Sequence, residues 1–235
     1  MARVSVANFN AHWCLDAHGT TFDLSSVVAS LDADVVVIEE VWRRSDGSAL
    51  HETAAAELGY RLHELMLPRR HNRTAPPLAR KVDGNKSRWG LAVLTKLPVL
   101  SMHTHPLPRV PLDPARRFAL SFVLDAGGPE LTVVATHLTH RPWGSAWHLR
   151  SLARVLPDPG TPAVALGDLN MWGPVVTAVL RDYRRAVVGR TWPSHRPHSQ
   201  LDHILVNAAV TVVDSEVLGR TDSDHLPVRA TLQIS

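Results

Sequence analysis

The sequence predicts an α/β fold in which two mixed β-sheets pack face to face and helices cover their outer surfaces. Strand and helix patterns alternate in the first part of the chain, whereas the later strand patterns follow one another through short turns. This order favours sheets that combine parallel and antiparallel strands. The 235 residues, 45% of them hydrophobic, are enough for one large core, so we expect a single domain over residues 1–235.

The first part of the chain predicts two strands and two helices. Arg3 to Phe9 alternates apolar and polar residues, which is typical of a strand, and Asp23 can cap a helix that follows it. Residues 34–38 read Asp-Val-Val-Val-Ile, a β-branched run that indicates a strand buried on both faces. Ser48 and Gly59 bracket an alanine-rich segment, so we predict a second helix between them.

The remainder of the chain predicts further strands and two more helices. Apolar runs of strand length occupy residues 91–95, 118–124, 131–136, 163–168, 201–206, 210–217 and 228–234. Helices are predicted from Ser145 to Leu156 and from Pro174 to Leu180. Residues 98–114 are rich in proline, and we predict that they form a connection.

A basic segment from Pro68 to Trp89 shows no periodicity. It carries seven Lys or Arg residues against one Asp, a local charge of +6 in a chain whose formal net charge is +3. Such a patch attracts polyanions over a Debye length of about 8 Å in physiological salt. A solvated surface loop explains the same composition, and the sequence favours neither interpretation.

The composition excludes several classes of protein. The single cysteine, Cys14, excludes an internal disulfide framework and a cysteine-based zinc site. The apolar runs are much shorter than a membrane span, and the N-terminus leads straight into a strand pattern without an apolar targeting region. We therefore expect a cytoplasmic protein with no membrane span and no obligate protein partner.

Polar side chains of the types found in active sites lie directly before or after several of the apolar runs. They are Asn10, Glu40, His137, Asp168, Asn170, Asp202, Asp224 and His225. Because α/β enzymes present polar groups at strand ends, we expect these side chains to meet at one rim. Each residue alone is more typical of a turn or a helix cap than of a catalytic site, so the prediction depends on the whole set.

Four of these residues are carboxylates, which repel one another. Two like charges about 4 Å apart repel by about 4 kcal/mol at an effective dielectric of about 20, so a cluster requires bound cations, shared protons or counter-charges. Oxygen ligands without a cysteine cluster favour Mg²⁺ or Mn²⁺ over Zn²⁺. With histidines present for proton transfer, the residues predict metal-assisted hydrolysis of a phosphate ester.

Six motifs in order resemble the endonuclease/exonuclease/phosphatase superfamily, the group of exonuclease III, pancreatic deoxyribonuclease and the neutral sphingomyelinases. The motifs are Val-Ala-Asn-Phe-Asn10-Ala-His, Ala-Asp-Val-Val-Val-Ile-Glu-Glu40-Val, Thr-His137-Leu, Gly-Asp168-Leu-Asn170, Leu-Asp202-His-Ile-Leu-Val and Ser-Asp224-His225-Leu-Pro. Weaker similarities are the Trp89-Gly90 strand and Arg117 before Phe118. The resemblance covers Val4 to Leu232 and implies a four-layer α/β/β/α sandwich.

The resemblance also implies which residues hold the metal. Glu40 would be the main ligand of Mg²⁺ (or Mn²⁺), assisted by Asn10. Asp224 would hold or approach the same metal ion. The sequence is compatible with one metal ion or with two.

The resemblance gives the remaining site residues catalytic roles. Asp168 would align or deprotonate the attacking water, and Asn170 would orient the substrate and the nucleophile. His225, oriented by Asp202, would contact the phosphoryl group, and His137 would donate to another phosphoryl oxygen. The chain departs from the usual family pattern at Gln200 and His203, next to the orienting aspartate.

The leading functional prediction is a phosphodiester hydrolase that acts on nucleic acid. Candidate substrate-binding residues lie in loops near the motifs: Arg69, Arg70, Arg141, Trp143 and Trp192. An aromatic side chain there could stack on a base. Four other tryptophans are predicted to pack in the core or at the rim: Trp42, Trp89, Trp147 and Trp172. The alternatives are a phosphoesterase of phospholipids or small molecules and an inactive binding protein.

Overall fold

A computed structural model describes residues 1–67, 87–113 and 115–235. The strands are β1 (Ala2–Asn10), β2 (Val35–Arg43), β3 (Arg61–Met66), β4 (Arg88–Thr95), β5 (Val99–Pro106), β6 (Phe118–Asp125), β7 (Glu130–Thr136), β8 (Ala163–Asp168), β9 (Arg184–Arg185), β10 (Asp202–Val206), β11 (Val210–Val217) and β12 (Val228–Ile234). The α-helices within these residues are α1 (Leu24–Leu31), α2 (Leu50–Glu57), α3 (Pro142–Leu152) and α4 (Gly173–Val179).

The strands form two sheets of six strands each among the described residues. The first sheet has the order β11-β12-β1-β2-β4-β3, and the second has the order β5-β6-β7-β8-β10-β9. β1 pairs with β2 in parallel and β7 pairs with β8 in parallel, while the other neighbouring pairs are antiparallel. The prediction of mixed sheets is confirmed.

Three apolar layers separate the two sheets and the helices. In β2, Val35 and Val37 point into the layer between the sheets, whereas Val36 and Ile38 point into the layer beneath α1 and α2. A third layer joins the second sheet to α3 and α4. Because both faces of β2 and β8 are buried, residues 35–38 and 163–166 are apolar without alternation. The four-layer α/β/β/α sandwich is therefore confirmed.

Three strands were not predicted: β3, β5 and β9. Each lies at an edge of its sheet, where strands have polar and partly exposed residues. The prediction that residues 98–114 are only a connection is therefore wrong over β5. The helix predicted from Ser145 begins at Pro142 instead, because proline is well suited to a first helical turn.

The two helix caps predicted near the N-terminus have different outcomes. Asp23 caps α1 as predicted, since its carboxylate accepts a hydrogen bond from the Ser26 N–H at 3.1 Å. Ser48 does not cap α2, because its N–H and hydroxyl bond to Asp46. The residue at the cap position of α2 is Ala49, which makes no side-chain cap.

Gly167 in β8 lies where the adjacent strand leaves no space for a side chain. A Cβ atom there would lie 1.9 Å from the carbonyl oxygen of Thr136, a backbone atom that cannot rotate away. We expect Gly167→Ala to lower the free energy of unfolding by about 1–3 kcal/mol or more, measured by urea denaturation. Gly160→Ala is the control, since a Cβ there meets nothing within 4 Å. Equal stability of the two variants would contradict this account.

Candidate active site

The polar residues of the strand ends lie at one end of the apolar layer between the sheets. In β1, Asn10 has the same parity as Val4 and Val6, which face that layer. In β8 and β10, Asp168 and Asp202 likewise continue the inward-facing positions, and these two residues are paired across the strands. Two sheets thus bring buried polar side chains to one place.

Asp168 is the centre of the group. Its Oδ2 accepts a hydrogen bond from Asn10 Nδ2 at 3.1 Å, and its Oδ1 accepts one from the backbone N–H of Asn170 at 2.9 Å. His137 Nε2 and His225 Nε2 lie 3.6 and 4.0 Å from Oδ2. Burial raises the pKa of Asp168 to about 6, although the charge of His225 opposes the shift. A carboxylate with this pKa can accept a proton near neutral pH.

Asp202 and His225 form a buried pair across the two sheets. His225 Nδ1 lies 2.9 Å from Asp202 Oδ2. Burial disfavours the imidazolium, but the carboxylates of Asp202, Asp168 and Asp224 raise the pKa of His225 well above its ordinary value. The protonated ring donates through Nδ1 to Asp202 and turns Nε2 towards Asp168, so it can donate to an anionic group bound there.

His137 has the opposite electrostatic character. Its Nε2 lies 3.8 Å from Glu40 Oε1 and 3.6 Å from Asp168 Oδ2. Burial, together with the charges of Arg117 and His225, lowers the pKa of His137 well below its ordinary value. The site therefore pairs one charged imidazole with one neutral imidazole.

Glu40 reaches the site through an irregularity in β2. The pairing of β2 with β4 shifts register between Glu39 and Val41, and Glu40 has φ = +53°, a left-handed conformation that is uncommon outside glycine. The Oε2 atom of Glu40 is buried and has no hydrogen-bond partner among the described residues. Burial raises the pKa of Glu40 to about 7.

The carboxylates fit a divalent cation. Glu40 Oε2, Asp202 Oδ1 and Asp224 Oδ1 are all buried oxygens without a hydrogen-bond partner in the described part of the chain. Buried carboxylate oxygens without partners are costly unless a cation or a proton compensates them. Oxygen donors suit Mg²⁺ or Mn²⁺, so Glu40 together with Asn10, Asp168 or Asp224 could hold such an ion.

A second group of ligand atoms is close enough to bind metal. Asp168, Asp202 and His225 each place one such atom within 4.8 Å of the others. His225 is a poor ligand in this arrangement, because Nδ1 is bonded to Asp202 and its protonated form is stabilised. We therefore regard Glu40 as the better first ligand.

A cavity opens beside this centre. Its volume is about 520 Å³, and Asp224 lies in its wall with Oδ1 4.0 Å from His225 Nε2. The other lining residues are His12, Asp16, Ala17, His18, Ser194, His195, Arg220, Thr221, Asp222 and Ser223. Only Ala17 among them is apolar, so the cavity suits a polar ligand.

Comparisons with known proteins show the family of the chain. The sequence profile described as the Endonuclease/Exonuclease/phosphatase family matches residues 7–225. The chain belongs to this family. Members of the family are hydrolytic phosphoesterases and are generally dependent on divalent metals. No protein in a search of curated proteins matches the chain.

Several solved structures share the family fold. An endonuclease/exonuclease/phosphatase from Beutenbergia cavernae has a TM-score of 0.81 and 22% identity, over 100% of this chain and 72% of that one. The human Nocturnin catalytic domain with bound sulfate has a TM-score of 0.73 and 16% identity, over 100% and 94%. ANGEL2, a 2′,3′-cyclic phosphatase in complex with adenosine-2′,3′-vanadate, has a TM-score of 0.67 and 16% identity, over 99% and 96%.

The predicted substrate-binding residues have different environments. Trp143 is 53% exposed at the start of α3, next to the half-buried Arg141. Trp192 is half-buried, and its indole N–H donates to Asp224 Oδ2 at 3.1 Å. Trp192 therefore contacts one of the candidate metal ligands directly. Arg69 and Arg70 lie outside the described residues.

Two tryptophans predicted to pack in the core or at the rim are exposed. Trp147 is 44% exposed, one helical turn after Trp143, and Trp172 is 66% exposed directly before α4. The packing prediction is therefore wrong for Trp147 and Trp172, whereas Trp42 and Trp89 are buried. The exposed indoles lie on α3, which follows β7 and His137, and directly before α4, which follows β8 and Asp168.

Two buried residues of the site were not predicted to belong to it. Glu39, in the middle of β2, is fully buried, and neither of its carboxylate oxygens has a hydrogen-bond partner among the described residues. Burial and the nearby charges of Asp202 and Asp168 raise its pKa well above its ordinary value, which disfavours the ionised form of Glu39. Its parity with Val35 and Val37 could have shown that it points inward.

Arg117 is the second of these residues. It is 5% exposed, its Nε lies 3.1 Å from Asp113 Oδ2, and its guanidinium lies 5.1 Å from the centre of the Trp89 ring. Its charge contributes to the lowered pKa of His137. In the sequence, the weak family similarity at Arg117 before Phe118 indicates this residue but implies no role for it.

His203 faces away from the site, although it follows Asp202. Alternation along β10 turns His203 towards the helices, where Nε2 bonds to the Met171 carbonyl oxygen at 2.9 Å. Burial lowers the pKa of His203 to about 4, below the value of about 6.5 expected in the unfolded chain. Protonation therefore favours the unfolded state, so this contribution to stability is present above about pH 6.5 and is lost as the pH falls towards 4.

We expect His203→Gln to reduce the pH dependence of stability. As the pH falls from 7 to 5, protonation of His203 alone should lower the free energy of unfolding of the wild-type protein by about 2 kcal/mol. The glutamine variant should not show this decrease. Urea denaturation at both pH values measures the difference. His18→Gln, on an exposed loop, is the control. Identical pH dependence in wild type and His203→Gln would disprove the assignment.

Proposed function

We propose that the protein is a Mg²⁺-dependent (or Mn²⁺-dependent) phosphodiester hydrolase that acts on nucleic acid, with residues 1–235 as one domain in the cytoplasm. The observation that carries the proposal is the arrangement around Asp168. The Asp168 carboxylate, whose pKa is raised, lies between the charged imidazole of His225 and the neutral imidazole of His137. A second buried carboxylate, Glu40, lies close by, and its Oε2 lacks a hydrogen-bond partner among the described residues.

The chain's own residues position and activate the reactants. Asp168, fixed by the N–H groups of Asn10 and Asn170, accepts a proton from the attacking water. The water oxygen forms a bond to phosphorus, and the ester bond to the leaving oxygen breaks. The leaving oxygen takes up a proton from solvent, and Asp168 then releases its proton to solvent. His225, held by Asp202, donates to a phosphoryl oxygen and stabilises the developing charge.

His137 and the metal ligands complete the proposed assignment. His137 donates to a second phosphoryl oxygen, and Asn170 orients the substrate. Glu40, Asn10 and Asp224 would hold the divalent cation. When bound, the cation neutralises charge on a phosphoryl oxygen and lowers the pKa of water.

The substrate class rests on the surface around the site. Trp143 and Trp172 expose indoles that can stack on bases, and Arg141 adds a positive charge beside Trp143. The cavity beside Asp224 is polar, which disfavours an acyl chain. The similar ANGEL2 structure is a complex with adenosine-2′,3′-vanadate, which is consistent with a nucleotide-containing substrate.

A panel of substrates tests the proposed function. The protein should hydrolyse single-stranded DNA or RNA with Mg²⁺ or Mn²⁺ and should hydrolyse a sphingomyelin vesicle and a sugar phosphate much more slowly. Product analysis by gel electrophoresis and phosphate release measures the rates. Faster hydrolysis of the lipid or the sugar phosphate would move the assignment to the alternative substrate class, and no hydrolysis of any ester would indicate a binding protein.

The exposed indoles should contribute to binding of the nucleic acid. In an Asp168→Asn background, Trp143→Ala or Trp172→Ala should weaken binding of a labelled single-stranded oligonucleotide about tenfold, because stacking contributes about 1–3 kcal/mol per base. Fluorescence anisotropy measures the affinity. Leu100→Ala, which removes an equally exposed apolar side chain on the edge strand β5, is the control. Unchanged affinity in both tryptophan variants would contradict base stacking.

A further inference from the structure

The segment Thr191–Ser194 lies between β9 and β10 and bonds to β10 on one side. The Thr191 hydroxyl oxygen, Oγ1, accepts hydrogen bonds from the backbone N–H groups of Leu201 at 3.1 Å and Asp202 at 3.2 Å. The Thr191 N–H donates to the Ser199 carbonyl oxygen at 2.8 Å. Thr191 is fully buried, so these bonds fix the start of β10 and the backbone of Asp202.

The same segment bonds on its other side to the loop that carries His225. The Leu226 N–H donates to the Thr191 carbonyl oxygen at 2.8 Å, and the Ser194 N–H donates to the Asp224 carbonyl oxygen at 2.7 Å. Ser194 Oγ donates to the Ser223 carbonyl oxygen at 2.7 Å. Together with the bond from the Trp192 indole to Asp224, these contacts hold both neighbours of His225.

The two sides of this segment belong to different sheets. Asp202 begins β10 in the second sheet, whereas His225 precedes β12 in the first sheet. The hydrogen bond of 2.9 Å between Asp202 and His225 therefore depends on the relative position of the sheets at this end. Thr191 is bonded to the backbone of Asp202 and to the backbone of the residue after His225, so it spans the pair directly.

We propose that Thr191 is a positioning residue that sets the geometry of the Asp202–His225 pair, with Trp192 and Ser194 fixing the adjacent Asp224. This inference rests on the proposed function of His225. Misplacement of a catalytic group by about 1 Å can lower a rate about 100-fold, so the hydroxyl of Thr191 has an effect on catalysis without contact with the substrate. Trp192 acts here through Asp224 rather than by stacking on a base.

A pair of substitutions separates the hydroxyl from the shape of the side chain. Thr191→Val keeps the branched shape and removes the acceptor Oγ1, whereas Thr191→Ser keeps the hydroxyl. We expect Thr191→Val to lower kcat about 10- to 100-fold with KM changed by less than about threefold, and Thr191→Ser to stay within about threefold of wild type. Steady-state kinetics on a nitrophenyl phosphodiester measures both. A wild-type kcat for Thr191→Val would overturn the proposal.

A double-mutant cycle tests whether Thr191 acts through His225. In a His225→Ala background, Thr191→Val should cause no further loss of kcat, because the pair that it positions is already broken. A further loss by the same factor as in the wild-type background would overturn the proposal and indicate a general structural role. If Thr191→Val does not fold by circular dichroism, Thr191→Ala, which also removes Oγ1, takes its place in the cycle and is judged by the same two outcomes.

A readout without turnover separates this proposal from the proposed function. In histidine-labelled protein, the nitrogen NMR signal of His225 Nδ1 should carry the signature of a hydrogen bond in wild type and Thr191→Ser and should lose it in Thr191→Val. An unchanged signal in Thr191→Val would overturn the positioning role. If the wild-type protein cleaves no phosphodiester while the NMR signal responds as expected, the proposed function fails and the positioning of the pair stands.

Discussion

Asp168→Asn should lower kcat by at least about 1,000-fold and should leave the protein folded. The carboxylate accepts hydrogen bonds from Asn10 and from the Asn170 N–H, and it lies within 4.0 Å of the Nε2 atoms of both His137 and His225. Asparagine keeps the shape of this side chain but cannot accept the proton of the attacking water, and it removes the charge beside His225. Rates on a nitrophenyl phosphodiester measure the loss.

The stability of Asp168→Asn should change in the opposite direction to its activity. Because burial raises the folded-state pKa of Asp168 to about 6, above its unfolded value, the ionised group destabilises the fold at pH 7, and stability from this group rises as the pH falls through 6. We expect the free energy of unfolding of Asp168→Asn at pH 7 to equal or exceed that of the wild type.

Asp214→Asn is the matched control for Asp168→Asn, since Asp214 is an exposed aspartate on β11 at the edge of the first sheet. It should retain wild-type kcat and stability. Retention of activity by Asp168→Asn would remove the residue from the mechanism. A large loss of stability together with activity would show that the residue supports the fold instead.

The central strands were predictable because their chemistry is local. Residues 34–38 and 163–168 read as buried strands since both faces of each strand meet apolar layers, and the sequence alone contains that pattern. The edge strands β3, β5 and β9 were not predictable in the same way. Their residues are partly exposed, so their pairing depends on a neighbouring strand rather than on their own composition.

The grouping of the candidate site residues was easier to predict from the sequence than their geometry. Asp168 and Asp202 follow inward-facing positions of strands, so alternation alone places them together. The position of the Glu40 side chain depends on a register shift in β2 that the residue pattern does not indicate. The same shift leaves Glu39 buried beneath the site. The role of Thr191 depends on hydrogen bonds between segments that are distant in the sequence, which composition and periodicity do not contain.

Chelation of divalent metal should abolish hydrolysis, and Mg²⁺ or Mn²⁺ should restore it. Glu40→Gln should weaken Mn²⁺ binding about 10- to 100-fold or more, since glutamine removes the charge of the buried carboxylate beside which the cation is proposed to bind. Because the pKa of Glu40 is about 7 without metal, the affinity of the wild type should rise as the pH rises through 7. Calorimetry and electron paramagnetic resonance of Mn²⁺ measure binding without turnover.

The position of the metal is decided by comparing Glu40→Gln with Asp202→Asn. If the cation binds at Glu40, Asp202→Asn should lower kcat by disturbing His225 and should leave Mn²⁺ affinity within about threefold of wild type. The reverse result, unchanged affinity in Glu40→Gln and lost affinity in Asp202→Asn, would place the cation among Asp168, Asp202 and His225, whose ligand atoms lie within 4.8 Å of one another. His225 would then be a neutral ligand rather than a charged donor, so the same measurement also decides how the phosphoryl charge is stabilised.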